Sequence, residues 1–393
     1  MLDPIVIVSY ARTPIGSFKG CFTSLNTVDL GACAIKGCME KLLVKIDCEE
    51  VIMGCVLSAG LGQSPARQAA ICAGLPESIC CTTVNKVCGS GMRSVMIAAD
   101  SLILGHCDVA IAGGMESMTN APYLLPQART GYVFGHGKVI DHMMRDGLED
   151  AYLPNGVSMG MLAEETAEIY GFGRTEQDEF AMRSVKRALK TDAAGGFSRE
   201  VASVEVRDKK GITVVDRDET LASLNPERIS TLKPCFKQDG TITAASSSSI
   251  SDGAAAVALM KESKSISLGL KPIARVCGYT SFSHAPRMFT TAPVGAVKKL
   301  FWKLSWKKET VDLYEINEAF AVVTMAAVHD LGLSMDNVNI QGGACALGHP
   351  LGVSGTRILI SLLNSLQSNS LSRGIATLCV GGGEAVAMGV EMC

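Results

Sequence analysis

Residues 90–93 read Ser-Gly-Met-Arg and residues 354–357 read Ser-Gly-Thr-Arg, and the segments after these two motifs decide the fold. After the first, a helical stretch leads to Asp-Val-Ala-Ile-Ala-Gly-Gly-Met-Glu at 108–116. After the second, another helical stretch leads to Ile-Ala-Thr-Leu-Cys-Val-Gly-Gly-Gly-Glu at 375–384. Chance can place Ser-Gly-x-Arg twice, but the shared order of helix, apolar strand and glycine turn indicates two homologous halves.

Apolar runs typical of buried strands alternate with helical stretches along the chain. Strands are predicted over 5–10, 51–57, 109–112, 274–277, 313–316 and 375–380. Helices are predicted over 27–45, 90–104, 175–190, 317–332 and 354–367. This alternation is typical of an α/β fold with largely parallel, buried sheets.

The stretch between the two halves has a different character. Residues 120–250 carry more charge than the flanking sequence and include several glycines, a charged helix and a polar segment. We interpret them as an insertion that covers one face of the halves. The predicted domains are therefore 1–119 plus 251–271 for the first half, 120–250 for the insertion, and 272–393 for the second half. Residues 252–256 are predicted to form a tight turn before a buried segment.

The composition excludes several classes of protein. The 393 residues carry a formal net charge of −3, with 47% hydrophobic and 19% charged residues. Such a chain is neither disordered nor collagen-like, and it lacks the basic surface of a nucleic-acid module. The apolar runs are short, and none reaches the roughly 20 residues of a membrane span. We therefore expect neither nucleic-acid nor membrane partners.

Cysteine is the unusual component, with 15 residues. The number is odd, the chain is long, its N-terminus has no secretory pattern, and paired Cys-x2-Cys metal signatures are missing. These features favour reduced thiols in an intracellular compartment. With no transit peptide and no C-terminal Ser-Lys-Leu, the cytoplasm is the predicted location. Most of the cysteines are expected to be small buried hydrophobic residues.

Cys88 has the setting of a reactive thiol. It lies in Asn-Lys-Val-Cys-Gly-Ser-Gly-Met at 85–92, where a strand-like run ends and the Ser90 helix begins. The positive end of the helix dipole predicts a lowered pKa for this thiol, and turn N–H groups can bind an oxyanion. Position alone leaves open the alternative of one more inert buried cysteine.

Three other residues are candidates, and each of them also admits a purely structural role. Cys379 precedes three glycines, a pattern that also suits a tight turn behind a core cysteine. His349 lies in a glycine-rich loop before the Ser354 helix and is either a general base or a cap of its own loop. Asn317 is predicted to cap the helix over 317–332, or else to orient a water or a carbonyl group. No dinucleotide fingerprint, Walker A sequence or His-Glu-x-x-His motif accompanies them.

Taken together, the motifs resemble those of the thiolase family over essentially the whole chain. They are Asn-Lys-Val-Cys-Gly-Ser-Gly-Met (85–92), Gly-Gly-Met-Glu-Ser-Met (113–118), Asn-Glu-Ala-Phe (317–320), Gly-Gly-Ala-x-x-Leu-Gly-His-Pro-x-Gly (342–352) and Cys-x-Gly-Gly-Gly (379–383). The resemblance implies a thiolase-like α/β fold with two homologous five-layered α/β/α/β/α halves and an inserted loop domain.

The resemblance also implies an activity, the reversible Claisen condensation of two acetyl-CoA molecules to acetoacetyl-CoA and CoA. Cys88 would carry the acetyl group after activation by His349, and Cys379 would remove the α-proton of the second acetyl-CoA once its pKa is lowered. Asn317, through a water, and His349 would hold one thioester oxygen. The N–H groups of Cys88 and Gly381 would hold the other. No catalytic metal or prosthetic group is implied.

The resemblance assigns coenzyme A contacts and an assembly. Residues implied to line the substrate and pantetheine site are Leu148, Met159, Ser248, Phe289, Ala319 and Phe320. Arg228 would contact the nucleotide end. The pattern after Phe289 resembles a mitochondrial and plant-type branch, which keeps the mitochondrial matrix as an alternative location. Residues 127–142 correspond to the loop used in family tetramers, so a homotetramer built as a dimer of dimers is expected.

Two departures from the family pattern bear on the site. The family's Asn-Ala-Ser segment reads Ser-Ser-Ser at 246–248, and Glu384 replaces the usual Met or Gly. Glu384 is expected to face solvent or a cation. Some relatives bind potassium, here near Ala244, Ala245, Ser247 and Cys345, although the assisting tyrosine corresponds to Val185.

Two alternatives are also compatible with these motifs. A 3-ketoacyl-CoA thiolase of β-oxidation with broader chain length would use the same catalytic motifs. A non-catalytic acyl-CoA-binding protein on the same fold is the other alternative, and it predicts that at least one of the four catalytic residues has been lost.

Overall fold

A computed structural model describes residues 3–42, 44, 46–154, 156–209 and 211–393. Its strands are β1 (Ile5–Arg12), β2 (Gly16–Ser17), β3 (Glu50–Gly54), β4 (Cys80–Val84), β5 (Val109–Ser117), β6 (Tyr123–Leu124), β7 (Ile140–Asp141), β8 (Val204–Asp208), β9 (Gly211–Val215), β10 (Ser251–Lys261), β11 (Ala274–Ser283), β12 (Leu313–Ile316), β13 (Arg373–Val380) and β14 (Glu384–Met392).

The α-helices occupy the segments between many of these strands. They are α1 (Thr27–Glu40), α2 (Pro65–Cys72), α3 (Ser90–Leu104), α4 (Met159–Tyr170), α5 (Arg174–Ala193), α6 (Glu219–Ser223), α7 (Glu262–Ser267), α8 (Ala292–Leu304), α9 (Ala321–Leu331), α10 (Ala344–Leu347) and α11 (Ser354–Ser368). Short 3₁₀ or π turns cover Met144–Leu148, Pro226–Thr231, Pro286–Thr291, Lys308–Thr310 and Met335–Asn337.

One large sheet carries both halves of the chain. Its strand order is β12-β13-β14-β11-β1-β10-β5-β3-β4, with β2 paired to β10. The two halves join where β1 meets β11 through only two residue pairs, Val6 with Arg275 and Ile7 with Ala274. A junction this short lets the sheet divide into two half-sheets, each following its own twist.

Helices α3 and α11 form the central layer between the half-sheets, and they pack against each other. Helices α1 and α2 cover the outer face of the first half-sheet, while α8 packs on the second and contacts α9. The α/β architecture is confirmed, and its five layers are counted across the two halves together rather than within each half. The residues that begin the sequence repeat are therefore the starts of the two central helices.

The pattern of α3 explains its central place. Met92, Val95, Met96, Ala99 and Leu102 recur at helical spacing, and all are buried. With Val87–Gly89, this segment is also apolar and long enough to cross a membrane by composition, but here it is the core helix packed between the sheets. Gly105, with φ of 76°, ends the helix in the left-handed conformation that glycine adopts without strain.

Several local expectations were wrong. Parallel pairs are limited to β3 with β4, β3 with β5 and β12 with β13 among the described strands, so the sheet is mixed rather than largely parallel. Asp252 lies inside the buried strand β10 and not in a turn. Helix α1 ends at Glu40, since residues 41–42 already turn away. These errors share a cause, because apolar periodicity does not register strand direction or element ends.

Residues 120–250 connect β5 to β10 and contain the β8–β9 hairpin, α4, α5 and α6. The insertion is pinned to the first half at β1, where the backbone N–H of Arg12 donates to the carbonyl of Glu200 and that of Ala202 to the carbonyl of Arg12. Helix α4 packs against α9 of the second half. The insertion thus contacts both halves. The exact domain boundaries stay a prediction.

Candidate active site

Three of the four predicted catalytic side chains line one cavity of about 260 Å³. Cys88 lies in the turn before α3, Cys379 near the end of β13, and His349 in the loop between α10 and α11. Asn317 follows β12 and is fully buried. Residues that are far apart in the sequence thus converge where the two halves and the insertion meet.

The turn that carries Cys88 is held in a strained conformation. Val87 has φ of 46°, a left-handed value that is a genuine outlier for a β-branched residue. The Asn85 side chain accepts a hydrogen bond from the Val87 N–H at 2.9 Å. Ser90 Oγ accepts from the Lys86 N–H at 2.8 Å and donates to the Val87 carbonyl at 2.7 Å. These bonds fix the position of the thiol at the start of α3.

The expected lowering of the Cys88 pKa was wrong. Burial raises the pKa of Cys88 to about 11, although the backbone N–H of Gly381 donates to the sulfur and partly opposes this rise. The physical reason is desolvation, since a thiolate loses more from leaving water than the helix terminus returns. Cys88 is therefore a thiol at neutral pH, and its attack on a carbonyl needs a base.

Cys379 is likewise a protonated thiol. Burial, and then the neighbouring Cys88, raise its pKa well above the ordinary value, so the lowered pKa expected for this residue was also wrong. The turn after it needs glycine at two positions. Gly382 has φ of 91°, and a Cβ on Gly383 (φ 81°) would lie 2.6 Å from the carbonyl oxygens of Ala285 and His284. The glycine run therefore shapes the turn that brings the Gly381 N–H to Cys88.

His349 has the protonation state of a general base. Burial, and then the charge of Arg357, lower its pKa to about 3, so the imidazole is neutral. Ser354 Oγ contacts His349 Nδ1 and also lies within hydrogen-bond distance of the Pro350 carbonyl, at 2.9 Å. When the hydroxyl hydrogen goes to the Pro350 carbonyl, Nδ1 carries the imidazole proton and Nε2 presents a lone pair. Nε2 is buried and has no protein partner.

Asn317 does not cap a helix, which corrects that expectation. Helix α9 begins at Ala321 with Phe320 at the cap position. The Asn317 side chain instead accepts a hydrogen bond at Oδ1 from Arg357 Nη2, at 3.1 Å. Its Nδ2 is buried and has no protein partner. A buried donor is thus left available beside the cavity residues Ala319 and Phe320.

The residues assigned to the acyl and pantetheine site share this cavity. Those in its wall are Leu148, Met159, Ser248, Phe289, Ala319 and Phe320. Phe320 packs edge to face on Phe289, with ring centroids 6.4 Å apart. Ser248 Oγ donates to the Ala319 carbonyl at 2.9 Å, which ties the serine segment to the Asn-Glu-Ala-Phe turn.

Sequence reasoning missed other members of the wall. Phe236 packs edge to face on Phe320 at 5.8 Å, and Leu351 and Ile250 complete the apolar lining. Phe236 lies in a polar segment with no recurring pattern, so no local signal marks it. Leu351 lies two residues after His349, and its place in the same loop was the only available clue.

Arg228 does not line this cavity. It borders a neighbouring cavity of about 650 Å³, together with Ala244, Ala245 and Cys345. Ile250 lines both cavities, so they adjoin each other. Ser247 belongs to the catalytic cavity, and Val185 contributes an apolar side chain to the second one.

Two carboxylates that were not among the predicted site residues link the segments of the site. Glu384 pairs with Lys86, which joins the turn after Cys379 to the turn before Cys88. Glu116, at the end of β5, is fully buried and accepts backbone hydrogen bonds from Val56, Leu57 and Gly352 at 2.8–3.0 Å. Of the two surroundings predicted for Glu384, solvent or a cation, the structure shows a cation, the ammonium group of Lys86.

The cavity brings together the groups that acyl transfer through a sulfur atom requires, two thiols and a neutral imidazole. Residues 5–263 match the model of the thiolase N-terminal domain, and residues 270–392 match that of the thiolase C-terminal domain. The chain belongs to the thiolase family.

Named relatives cover the chain from end to end. It is 47% identical to acetyl-CoA acetyltransferase 2 of Arabidopsis thaliana over 392 residues, 99% of this chain and 97% of the relative. The crystal structure of the Bacillus anthracis acetyl-CoA acetyltransferase superposes with a TM-score of 0.96 at 36% identity, covering 100% of this chain and 99% of the other. The Acat5 thiolase of Ascaris suum in complex with coenzyme A gives 0.92 at 40% identity, covering 99% and 100%.

Proposed function

We propose that this protein is an acetyl-CoA C-acetyltransferase, which joins two acetyl-CoA molecules to acetoacetyl-CoA and CoA and also runs the reverse reaction. The observation that carries the proposal is a single cavity with two protonated thiols, Cys88 and Cys379, and the neutral His349. Full-length relatives named acetyl-CoA acetyltransferase support the same activity.

The first half-reaction begins with a proton transfer. His349 Nε2 takes the Cys88 proton while the sulfur attacks the thioester carbonyl, so no free thiolate accumulates. The N–H groups of Cys88 and Gly381 receive the charge that develops on the carbonyl oxygen, the kind of contribution that is often worth about 2.7–4 kcal/mol per donor. The carbon–sulfur bond to CoA breaks as Cys379 gives its proton to the leaving sulfur. Acetyl-Cys88, the Cys379 thiolate and an imidazolium at His349 remain.

The second half-reaction uses that thiolate. The Cys379 thiolate removes an α-proton from the second acetyl-CoA, and Asn317 and His349 stabilise the enolate oxygen. The enolate carbon then attacks the acetyl group, and Cys88 leaves as a thiolate that recovers its proton from His349. The raised pKa of Cys379 suits this order, because the residue acts first as an acid and then as a base.

The adduct on Cys88 provides the central test. Incubation with acetyl-CoA should add one acetyl group, detected by mass spectrometry on the peptide that contains Cys88. The adduct should be absent from Cys88→Ala. In Cys379→Ala it should form more slowly, because the leaving sulfur lacks its acid, and then persist, because condensation is lost. An unmodified wild-type protein, or an adduct on another cysteine, would contradict the proposal.

The size of the cavity favours short acyl groups over the longer chains of β-oxidation. Leu148, Met159 and Phe289 close a space of about 260 Å³ that must also admit the end of pantetheine. A chain-length series of 3-ketoacyl-CoA substrates, including the 2-methyl analogue of acetoacetyl-CoA, tests this point. Preference for eight carbons or more would favour the β-oxidation thiolase. The non-catalytic alternative is disfavoured because all four catalytic residues are present.

The nucleotide end of coenzyme A and a cation are assigned to the neighbouring cavity as proposals. Arg228 would face the phosphates there. Carbonyl oxygens of Ala244 and Ala245 accept no hydrogen bond from the described residues, and potassium prefers such oxygens. Val185 has no side-chain oxygen to offer, so the ion would depend on main-chain ligands near Ser247 and Cys345. Equal thiolysis rates in sodium and potassium buffers would contradict the cation proposal.

The homotetramer and the compartment are proposals too. The edge strand β4 and the loop that follows β6 are the surfaces we assign to contacts between copies. We propose a reducing compartment, with the cytoplasm first and the mitochondrial matrix as the alternative. All 15 cysteines are free thiols, and two of them must stay free to react. Imaging of the tagged protein in its own cells separates the two locations.

A further inference from the structure

Arg357 is a fully buried guanidinium in the first turn of α11. Its Nη2 donates to Asn317 Oδ1 at 3.1 Å. Within the described residues, this is the one hydrogen bond of the guanidinium, since Nε and Nη1 have no protein partner. The buried guanidinium of Arg357 thus gives its one hydrogen bond among the described residues to Asn317, a predicted residue of the active site.

The chemistry of arginine decides which way the Asn317 amide points. Arginine has donors and no acceptor, so the amide atom that faces Arg357 must be the oxygen. The amide nitrogen must therefore face away from Arg357. There it is a buried donor with no protein partner, like the unpartnered acceptor Nε2 of His349.

We propose that Arg357 is a positioning residue that holds the Asn317 amide with its nitrogen toward the enolate oxygen of the second half-reaction. The inference rests on the proposed function, and it adds a residue that acts through Asn317 without touching the substrate. Without Arg357, the amide can turn and present its oxygen to a developing negative charge. A preorganised donor would then become an acceptor that opposes the reaction.

The surroundings of Arg357 explain how a guanidinium remains buried at this place. Glu315 is also buried, two residues before Asn317, and burial raises its pKa to about 8. Burial lowers the pKa of Arg357, and the carboxyl groups of Glu315, Glu318 and Glu200 oppose that lowering. Arg12 acts in the opposite direction. The carboxylates offset part of the cost of burial, so the cation is kept where Asn317 needs a donor.

The sequence repeat supplies a matched control. Arg93 stands in the first half where Arg357 stands in the second, as the last residue of Ser-Gly-x-Arg. Arg93 is only partly buried, and its Nη1 contacts the Met96 sulfur at 3.9 Å. Both halves therefore have an arginine at this position, but only Arg357 of the second half donates to the Asn317 amide.

The experiment separates the two half-reactions in Arg357→Met, Arg357→Lys and Arg93→Met. Mass spectrometry follows acetylation of Cys88 by acetyl-CoA, and NMR follows exchange of the acetyl-CoA methyl protons with D₂O. We expect Arg357→Met to exchange at least about tenfold more slowly, with Cys88 acetylation within about threefold of wild type. Arg357→Lys should recover part of the exchange rate, and Arg93→Met should match wild type.

A double-mutant cycle with Asn317→Ala tests whether Arg357 acts through the amide. In the Asn317→Ala background, a further change at residue 357 should not slow the exchange. Wild-type exchange in Arg357→Met, an additive loss in the double variant, or equal loss of both half-reactions would overturn the inference. If Arg357→Met does not fold, the cycle is decided with Arg357→Lys. A wild-type protein without a Cys88 adduct would instead overturn the proposed function.

Discussion

Burial decides the chemistry of the site at the scale of single residues. The thiols of Cys88 and Cys379 are both held protonated, and His349 is held neutral, because the cavity lies deep between the two halves. Each group is therefore in the form that the first proton transfer requires. The cost is that a thiolate is formed only during the reaction, and only where an acceptor such as His349 Nε2 is within reach.

The raised pKa of Cys88 predicts how its alkylation depends on pH. The thiolate is the reactive form, and below a pKa of about 11 its fraction grows about tenfold per pH unit. Labelling by iodoacetamide should therefore keep accelerating from pH 7 to pH 10. Peptide mass spectrometry over a pH series measures the rate, with Cys88→Ser identifying the peptide. A plateau below pH 9 would show that the helix terminus outweighs burial.

The positions of the catalytic residues could be predicted from the sequence, but their ionisation could not. Cys88, His349 and Cys379 lie at turns marked by glycine, a pattern visible without coordinates. The direction of the pKa shift depends on how much water remains around each group, which follows from packing between distant segments. Phe236 was missed for the same reason, since only the folded insertion brings it to Phe320.

At the scale of elements, an ion cluster attaches the insertion to the first half. Arg12, at the end of β1, donates to Glu200 at 2.7 Å and to both oxygens of Asp218 at 2.7 and 2.9 Å. All three side chains are buried. Nothing in the sequence near 200 or 218 identifies these partners of Arg12, because ion pairs between distant segments leave no local pattern.

Replacing Arg12 by Met should destabilise the protein strongly. Two buried carboxylates would lose their partner, which typically costs about 3–5 kcal/mol of unfolding free energy. Urea unfolding at one fixed protein concentration measures the change. Lys36→Ala is the control, because its pair with Glu40 is solvent-exposed and should contribute under about 1 kcal/mol. A loss below about 1 kcal/mol in Arg12→Met would mean that the cluster does not anchor the insertion.

At the scale of the whole molecule, the halves meet at the catalytic loops as well as along the sheet. Glu116 ends β5 of the first half and accepts from Gly352, in the loop that carries His349 of the second half. The repeat predicted that two halves exist. It did not predict this bond, because the glutamate after the glycines has a different partner in each copy. Glu116 accepts from backbone N–H groups, whereas Glu384 pairs with Lys86.

Changing Glu116 to Gln should slow thiolysis about tenfold with little effect on KM. Both oxygens of Glu116 accept from backbone N–H groups, so the NH₂ group of a glutamine would face a donor in either orientation. Two facing donors repel each other, and the loop that carries His349 must then shift. Steady-state kinetics with acetoacetyl-CoA and CoA measures the effect. Glu205→Gln, an exposed change on β8, is the control. An unchanged kcat in Glu116→Gln would show that catalysis does not need the contact between Glu116 and the loop of His349.

The proposed tetramer depends on the most exposed apolar side chains of the molecule's described part. Val133 and Phe134, between β6 and β7, are 97% and 103% exposed, and Tyr132 beside them is 43% exposed. Apolar groups presented so fully are typical of a surface that is covered in an assembly. The double change Val133→Ser and Phe134→Ser should therefore convert tetramers to dimers in mass photometry at nanomolar to micromolar concentrations. The matched change Ile212→Ser with Val214→Ser on β9, which is also exposed, should leave tetramers intact. Tetramers that survive the first pair of substitutions would exclude this loop as the contact between dimers.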